Sequence, residues 1–214
     1  GLEWMETDLR RTADGIVVLS HDEDLRRTAN DPRAVGEVMW AELADLDSGD
    51  GRGFVRLDDA LYAHPTMKFN IDLKDSNVVQ AALQTVRDAD ALERVRFASF
   101  SARRLAVLRR QEPRAMTSLG VSDVLGLMLR SEAAVPLPQT RWGWTRGRVD
   151  AVQVPESYHG VPVVTRRFVA SAHTADLEVH VWTVDEPERM RQLADLNVDA
   201  IMTDVPTLAL QTLG

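Results

Sequence analysis

The chain has 214 residues, of which 44% are hydrophobic and 27% charged, with a formal net charge of −8 and no cysteine. That length suits one sizeable core in a single domain spanning residues 1–214. The absence of cysteine excludes disulfides, thiolate nucleophiles and Cys-based zinc sites, and the acidic balance argues against a nucleic-acid binder.

No apolar run approaches the roughly 20 residues that span a bilayer, so no stable membrane insertion is expected and the location is taken as cytoplasmic. Of the 25 basic residues, only Lys68 and Lys74 are lysines. Short β-branched or apolar runs alternate with amphipathic stretches. In chain order, strands are predicted at Trp4–Asp8 and Ile16–Ser20, then helices at Trp40–Leu46 and Leu57–Ala63. A strand at Lys68–Leu73 precedes a helix at Val78–Ala89, where Val78, Ala82, Leu83 and Val86 recur at helical spacing. Strand Val95–Ser99 leads to helix Ala102–Arg110, with Ser101 as its cap. Strand Arg114–Ser118 leads to helix Val124–Ser131, and strand Ala151–Val154 to helix Thr165–Ala175. Strand Val179–Val184 is followed by helix Pro187–Leu196, which Asp185-Glu186-Pro187 opens with a capping acid and a first-turn proline. Strand Ala200–Thr203 and a terminal helix near Thr207–Leu213 complete the series.

Such alternation implies a parallel sheet with helices outside it. No GxGxxG or Walker sequence marks an open nucleotide-binding sheet. Polar residues instead fall at the C-terminal ends of several strands: Asp8, Asp72, Lys74, Ser99, Gln153, Trp182 and Asp204. That distribution suits a (β/α)8 TIM barrel. Ile16–Ser20 follows Asp8 by a tight Ala13-Asp14-Gly15 turn and is no repeat of its own, which leaves the count one parallel unit short of closure. A first strand-helix unit is therefore expected to be absent from the sequence.

Glu6 and Asp8 lie one residue apart on a strand, so both point to one face. The next extended run delivers His21-Asp22. Two hard oxygen ligands with a titratable imidazole suit metal-assisted hydrolysis of an anionic substrate.

Met5-Glu6-Thr7-Asp8-Leu9, Thr12-Ala13-Asp14-Gly15, Val18-Leu19-Ser20-His21-Asp22 and Leu25-Arg26-Arg27-Thr28 carry a pattern that extends to Phe69-Asn70-Ile71-Asp72-Leu73-Lys74 and Ser99-Phe100-Ser101. It ends in Val181-Trp182-Thr183-Val184-Asp185 and Val198-Asp199-Ala200-Ile201-Met202-Thr203-Asp204-Val205-Pro206. In this order the segments resemble the glycerophosphodiester phosphodiesterase family over nearly the whole chain. The family's opening H-R-G strand and P-E-N-T turn are missing, so the resemblance places a second acid/base histidine and a phosphate-binding arginine upstream of Gly1. The chain as given is thus expected to be a poorly active enzyme. Asp72 stands where the family has Glu, Asp185 where it has Asn, and Asn197 where it has Gly.

The resemblance implies a metal-dependent hydrolase of glycerol and lipid metabolism, cleaving a small-molecule glycerophosphodiester to glycerol phosphate and an alcohol. Glu6, Asp8 and Asp72 would bind a divalent metal ion, Mg²⁺ or Ca²⁺. His21 would move protons, and Lys74, on the same face as Asp72, would bind phosphate or pair with a neighbouring acid. Trp182, Ser99 and Gln153 would line the substrate pocket. Tyr158-His159-Gly160 is a candidate lip for the entrance. His64, His173 and His180 are expected to be structural, and the paired arginines at 10–11, 26–27, 103–104, 109–110 and 166–167 to form solvated faces. Two alternatives remain: a lysophospholipase D-type enzyme, which needs an exposed apolar rim such as Val124–Leu129, or a non-catalytic barrel that binds a phosphodiester or polyol. The oligomeric state is not legible.

Overall fold

In a computed structural model the described residues are 2–49, 51–132 and 147–214. The chain divides into two compact units, one of Trp4–Ala98 and one of Gly1–Glu3 with Ser99–Gly214.

In the first unit, β1 (Trp4–Arg11) turns back into the antiparallel β2 (Val17–Leu19) and pairs on its other side with the parallel β3 (Lys68–Leu73). Between β2 and β3 lie α1 (Arg26–Ala29), α2 (Trp40–Ala44) and α3 (Leu57–Ala63). After β3 come α4 (Val78–Asp88) and β4 (Val95–Ala98), which pairs parallel with β3. β1 runs three residues past its predicted end, because Leu9, Arg10 and Arg11 pair with Leu19, Val18 and Val17. Gly15, at φ 92, closes that hairpin in a conformation that only glycine adopts cheaply.

From Phe69 onwards β3 is buried on both faces, as expected for a strand flanked by parallel neighbours. Phe69, Ile71 and Leu73 share one face and Asn70 and Asp72 the other, since side chains alternate. The stripe Val78, Val79, Ala82, Leu83 and Val86 of α4 is buried as its spacing predicts. A smaller cluster of Val18, Leu25, Val35, Val38 and Leu43 lies under the β2–α2 segment. Arg94 satisfies the last turn of α3, donating from Nη1 to the Met67 carbonyl at 2.9 Å and from Nη2 to that of Leu61 at 2.8 Å.

The second unit contains α5 (Ala102–Gln111), β5 (Met116–Thr117), α6 (Val121–Glu132) and β6 (Ala151–Pro155). A short hairpin of β7 (Ser157–Tyr158) and β8 (Val161–Pro162) precedes α7 (Arg166–Thr174), β9 (Glu178–Trp182), α8 (Pro187–Asp195), β10 (Ala200–Ile201) and α9 (Pro206–Leu213). β6, β9 and β10 run parallel, with β9 in the middle, and Ser118 bridges to Ala151 in the parallel sense. Their core gathers Val152, Val154, Phe168, Val179, Val181 and Leu193.

Several boundaries differ from expectation. Ser101 does cap α5, accepting from the Arg104 amide. Asp185 does not cap α8; Glu186 holds that position without a side-chain bond. The Asp185 carboxylate instead accepts from the Thr203 hydroxyl at 2.8 Å and the Asp204 amide at 2.9 Å. It therefore ties the loop after β10. Tyr158-His159-Gly160 is a tight hairpin turn, with positive φ at His159 and Gly160 that matches strand twist. Asn197, standing for the family's Gly, adopts φ 61, a left-handed conformation that Asn tolerates.

Among the paired arginines, Arg10, Arg104 and Arg109 are not on solvated faces. Arg109 is 1% exposed, with Nη1 donating to Thr117 Oγ1 at 2.9 Å. The side chain of Arg10 is 15% exposed, and its guanidinium donates to the His21 carbonyl and lies near Asp75.

Candidate active site

The parallel register sets Glu6 opposite Asn70 and Asp8 opposite Asp72. Asp8 and Asp72 therefore face each other near the end of the parallel pairing of β1 with β3. Lys74, just beyond β3, reaches back between them, with Nζ 2.8 Å from Asp8 Oδ1 and 2.9 Å from Asp72 Oδ2. Its backbone N–H bonds the Leu9 carbonyl, continuing the ladder. Burial pulls the Lys74 ammonium down, but its hydrogen bonds to Asp8 and Asp72 and their charges outweigh that and hold it above an ordinary lysine.

Glu6 lies on the same face of β1 with its side chain exposed. Among the described residues no group of three or more His, Asp or Glu side chains is assembled to hold a metal ion. One observation does fit a cation: Asp72 Oδ1 is buried and accepts no hydrogen bond. An acceptor-only carboxylate oxygen left bare inside a protein is costly. Two adjacent acids with such an oxygen are a hard-donor set suited to Mg²⁺ or Ca²⁺.

The amide of Ser20 bonds the Asp8 carbonyl at 2.9 Å, so the chain carries His21 directly off this strand end. His21 is 66% exposed, with Nδ1 2.8 Å from Asp22 Oδ1. Asp22 Oδ2 accepts from Arg27 Nε at 2.6 Å. Arg27 first and His21 second hold the Asp22 carboxyl below the usual carboxylate range. Arg10 donates from Nε and Nη2 to the His21 carbonyl at 3.2 and 3.1 Å, and its Nη1 lies 3.9 Å from Asp75. Beside His21 a depression of about 240 Å³ is lined by Leu19, Ser20, Thr28, Ser48, Phe54 and their neighbours.

In the second unit, Trp182 at the end of β9 meets Phe100 edge-to-face, with ring centroids 5.8 Å apart. Ser99 is 5% exposed and accepts from Arg104 Nη1 at 2.7 Å. Gln153 lies 3.4 Å from His180 Nδ1, and His180 Nε2 lies 3.0 Å from Glu178. His173 pairs with Asp199 and His64 ends α3, so all three histidines expected to be structural have local partners or cap positions.

Sequence reasoning noted Asp22 beside His21 but gave it no partner, and it left Arg27 and Arg10 out of the candidate site. The spacing of His21-Asp22 to Arg27 was visible, but nothing linear shows that a short helical turn aims Arg27 back at Asp22.

Paired acids near the end of a parallel strand pairing, a bridging lysine and an Asp-backed histidine are groups that suit a hydrolase acting on an anionic substrate. The glycerophosphoryl diester phosphodiesterase family model matches residues 1–208, through both units. The chain is 36% identical over 206 residues to the "probable glycerophosphodiester phosphodiesterase 2" of Mycobacterium tuberculosis, covering 95% of this chain and 76% of that one. Among solved structures, it resembles the glycerophosphoryl diester phosphodiesterase domain of another M. tuberculosis protein, with TM-score 0.81, 18% identity, and coverage of 99% and 88% of the two chains. It also resembles an Oleispira antarctica phosphodiesterase solved with sn-glycerol-3-phosphate, with TM-score 0.76, 18% identity, and coverage of 100% and 85%. The chain belongs to the glycerophosphoryl diester phosphodiesterase family, and its fold is the (β/α)8 barrel of those structures.

Proposed function

We propose that this chain hydrolyses glycerophosphodiesters to glycerol phosphate and an alcohol, using a divalent cation held by Glu6, Asp8 and Asp72. The observation that carries the reading is Lys74 seated between Asp8 and Asp72 at the strand end from which His21 emerges. When bound, the cation supplies positive charge to phosphate oxygens and acidifies a neighbouring hydroxyl. Lys74 stays protonated through the working range and offers a fixed positive charge as negative charge builds on the phosphate. His21 moves a proton between Nε2 and the reacting oxygens, since Nδ1 is committed to Asp22. The depression beside it leaves room for the departing alcohol. Trp182, Ser99 and Gln153 are the substrate-binding candidates of the second unit; Ser99 accepts from Arg104, and Gln153 lies beside His180.

The test is release of glycerol phosphate from several glycerophosphodiesters by the full-length protein, with and without chelator. Activity indifferent to chelator refutes the metal assignment. Absence of release from every diester refutes the substrate class.

A second reading, hydrolysis of lysophospholipids, is favoured by an exposed apolar stripe on α6. Val121, Leu125 and Leu129 are 54%, 54% and 65% exposed, while Leu127 is buried. Val124 and Met128 pack partly against the core, so only one face of the expected rim is available. Among the described residues no helix is long and apolar enough to cross a membrane. A lysophospholipid turned over faster than its deacylated diester, with that advantage lost in Leu125→Ser/Leu129→Ser, selects this reading.

A further inference from the structure

We propose that Asp22 and Arg27 are positioning residues for His21: Arg27 anchors one oxygen of Asp22 so that the other holds the imidazole in the Nδ1–H tautomer, with Nε2 free for proton transfer. The proposal rests on the reading of His21 as the proton-transfer group.

Asp22 is acceptor-only when ionised, so the 2.8 Å approach of His21 Nδ1 is a hydrogen bond only if Nδ1 carries the proton. In a neutral imidazole the other nitrogen is then an unprotonated acceptor. The two oxygens of Asp22 are divided, Oδ1 to His21 and Oδ2 to Arg27 at 2.6 Å. Rotating the carboxylate to release one breaks both. Asp22 is 24% exposed, beneath His21 at 66% and Arg27 at 70%. The most exposed members of the chain are thus tied through its most sheltered one.

The supports of this chain are themselves fixed. Leu25 is fully buried, and its amide bonds the Arg33 carbonyl at 3.0 Å. The Arg26 amide donates to Asp24 Oδ1 at 3.1 Å, starting the turn that directs Arg27. On the other side, Arg10 from β1 grips the His21 carbonyl through two nitrogens. Backbone, ring and carboxylate of the His21-Asp22 pair therefore each have their own anchor. An isolated surface ion pair contributes little to stability, so a geometric role is what distinguishes this arrangement from a solvated charge pair. The same logic orients a histidine by a buried acid in hydrolytic triads; here an arginine replaces burial as the means of fixing the acid.

The experiment is ring-nitrogen NMR of the full-length protein at a pH where His21 is neutral, with the His21 signal assigned by its loss in His21→Gln. The unsubstituted protein and Arg27→Lys should show the Nδ1–H form. Asp22→Ala and Arg27→Gln should shift His21 towards the Nε2–H form. The tautomer is read on the resting protein, so it decides the proposal independently of which substrate is cleaved. In turnover, Asp22→Ala should lower kcat by about tenfold or more, part of the roughly 10²–10⁴ that a positioned proton-transfer group contributes, with KM changed by less than about twofold. An Nε2–H form in the unsubstituted protein, or an Nδ1–H form retained in Arg27→Gln, overturns the proposal. So does a change confined to KM in Asp22→Ala.

Discussion

Replacing Lys74 by Met removes a positive charge from between two acids while keeping most of the side chain's length. At 2.8 Å from Asp8 and 2.9 Å from Asp72, each pair attracts by about 6 kcal/mol at an effective dielectric constant of ~20. Most of that is offset by desolvation, because the three side chains are between 12% and 17% exposed. What the substitution changes is the residue of this balance: two carboxylates remain on paired positions of neighbouring strands without the lysine. Removing one partner from a fully buried pair costs about 3–5 kcal/mol; the partly wet edge here lowers the expectation to about 2–4 kcal/mol. Urea unfolding in chelator should therefore show the midpoint of Lys74→Met falling by about 1–2 M at an unchanged slope of ~2 kcal/mol/M. A midpoint within about 0.3 M of the unsubstituted protein would refute the claim that Lys74 holds the acid pair together. The pH dependence has a definite sign. The folded pKa of Lys74 is raised above 10.5. Its contribution is therefore fully present below the unfolded value and lost as pH rises through the folded one. Lys74→Met and the parent should converge in stability only in strongly alkaline solution.

Arg109 separates packing from charge. Its Nε is buried with no hydrogen-bond partner, and burial pulls its pKa down. Arg109→Met should stay within about 1 kcal/mol of the parent, whereas Arg109→Ala should lose about 2–4 kcal/mol by opening a cavity; equal losses in urea unfolding would refute this separation. Asp185→Ala should cost about 1 kcal/mol and speed amide exchange at Asp204, since two hydrogen bonds are lost from an exposed loop; unchanged exchange would refute the role of Asp185 in tying that loop. A Cβ at Gly120 would run into the backbone of Ala102. Gly120→Ala should accordingly cost about 1–3 kcal/mol in thermal or urea unfolding, through forced movement at the start of α5.

Wherever the period of hydrophobicity was clear, the fold could be read directly. The stripe of α4 and the Ser101 cap depend on neighbours a few residues apart, and the structure has them where spacing puts them. The hairpin status of Ile16–Ser20 was legible from a turn too short for a helical crossover. Boundaries failed where a distant partner decides. β1 extends to Arg11 because β2 is there to pair with it, and the Asp185 carboxylate bonds Thr203 and Asp204 instead of the first turn of α8.

The site divides along the same line. Sequence by itself picked out the candidates for the chemistry: Glu6 and Asp8 share a face by the two-residue period of a strand, Asp72 and Lys74 share theirs, and His21 follows the next extended run. Tertiary structure alone decided how they are used. The pairing of Asp8 with Asp72 seats Lys74 between two acids, so the lysine is a partner of the acid pair. The turn at α1 brings Arg27 onto Asp22 and converts a neighbouring acid into a support for His21. Strand periodicity is set by the backbone at each residue and is readable locally. Ion-pair partners are set by register and turn direction, which exist only once segments distant in the chain have packed.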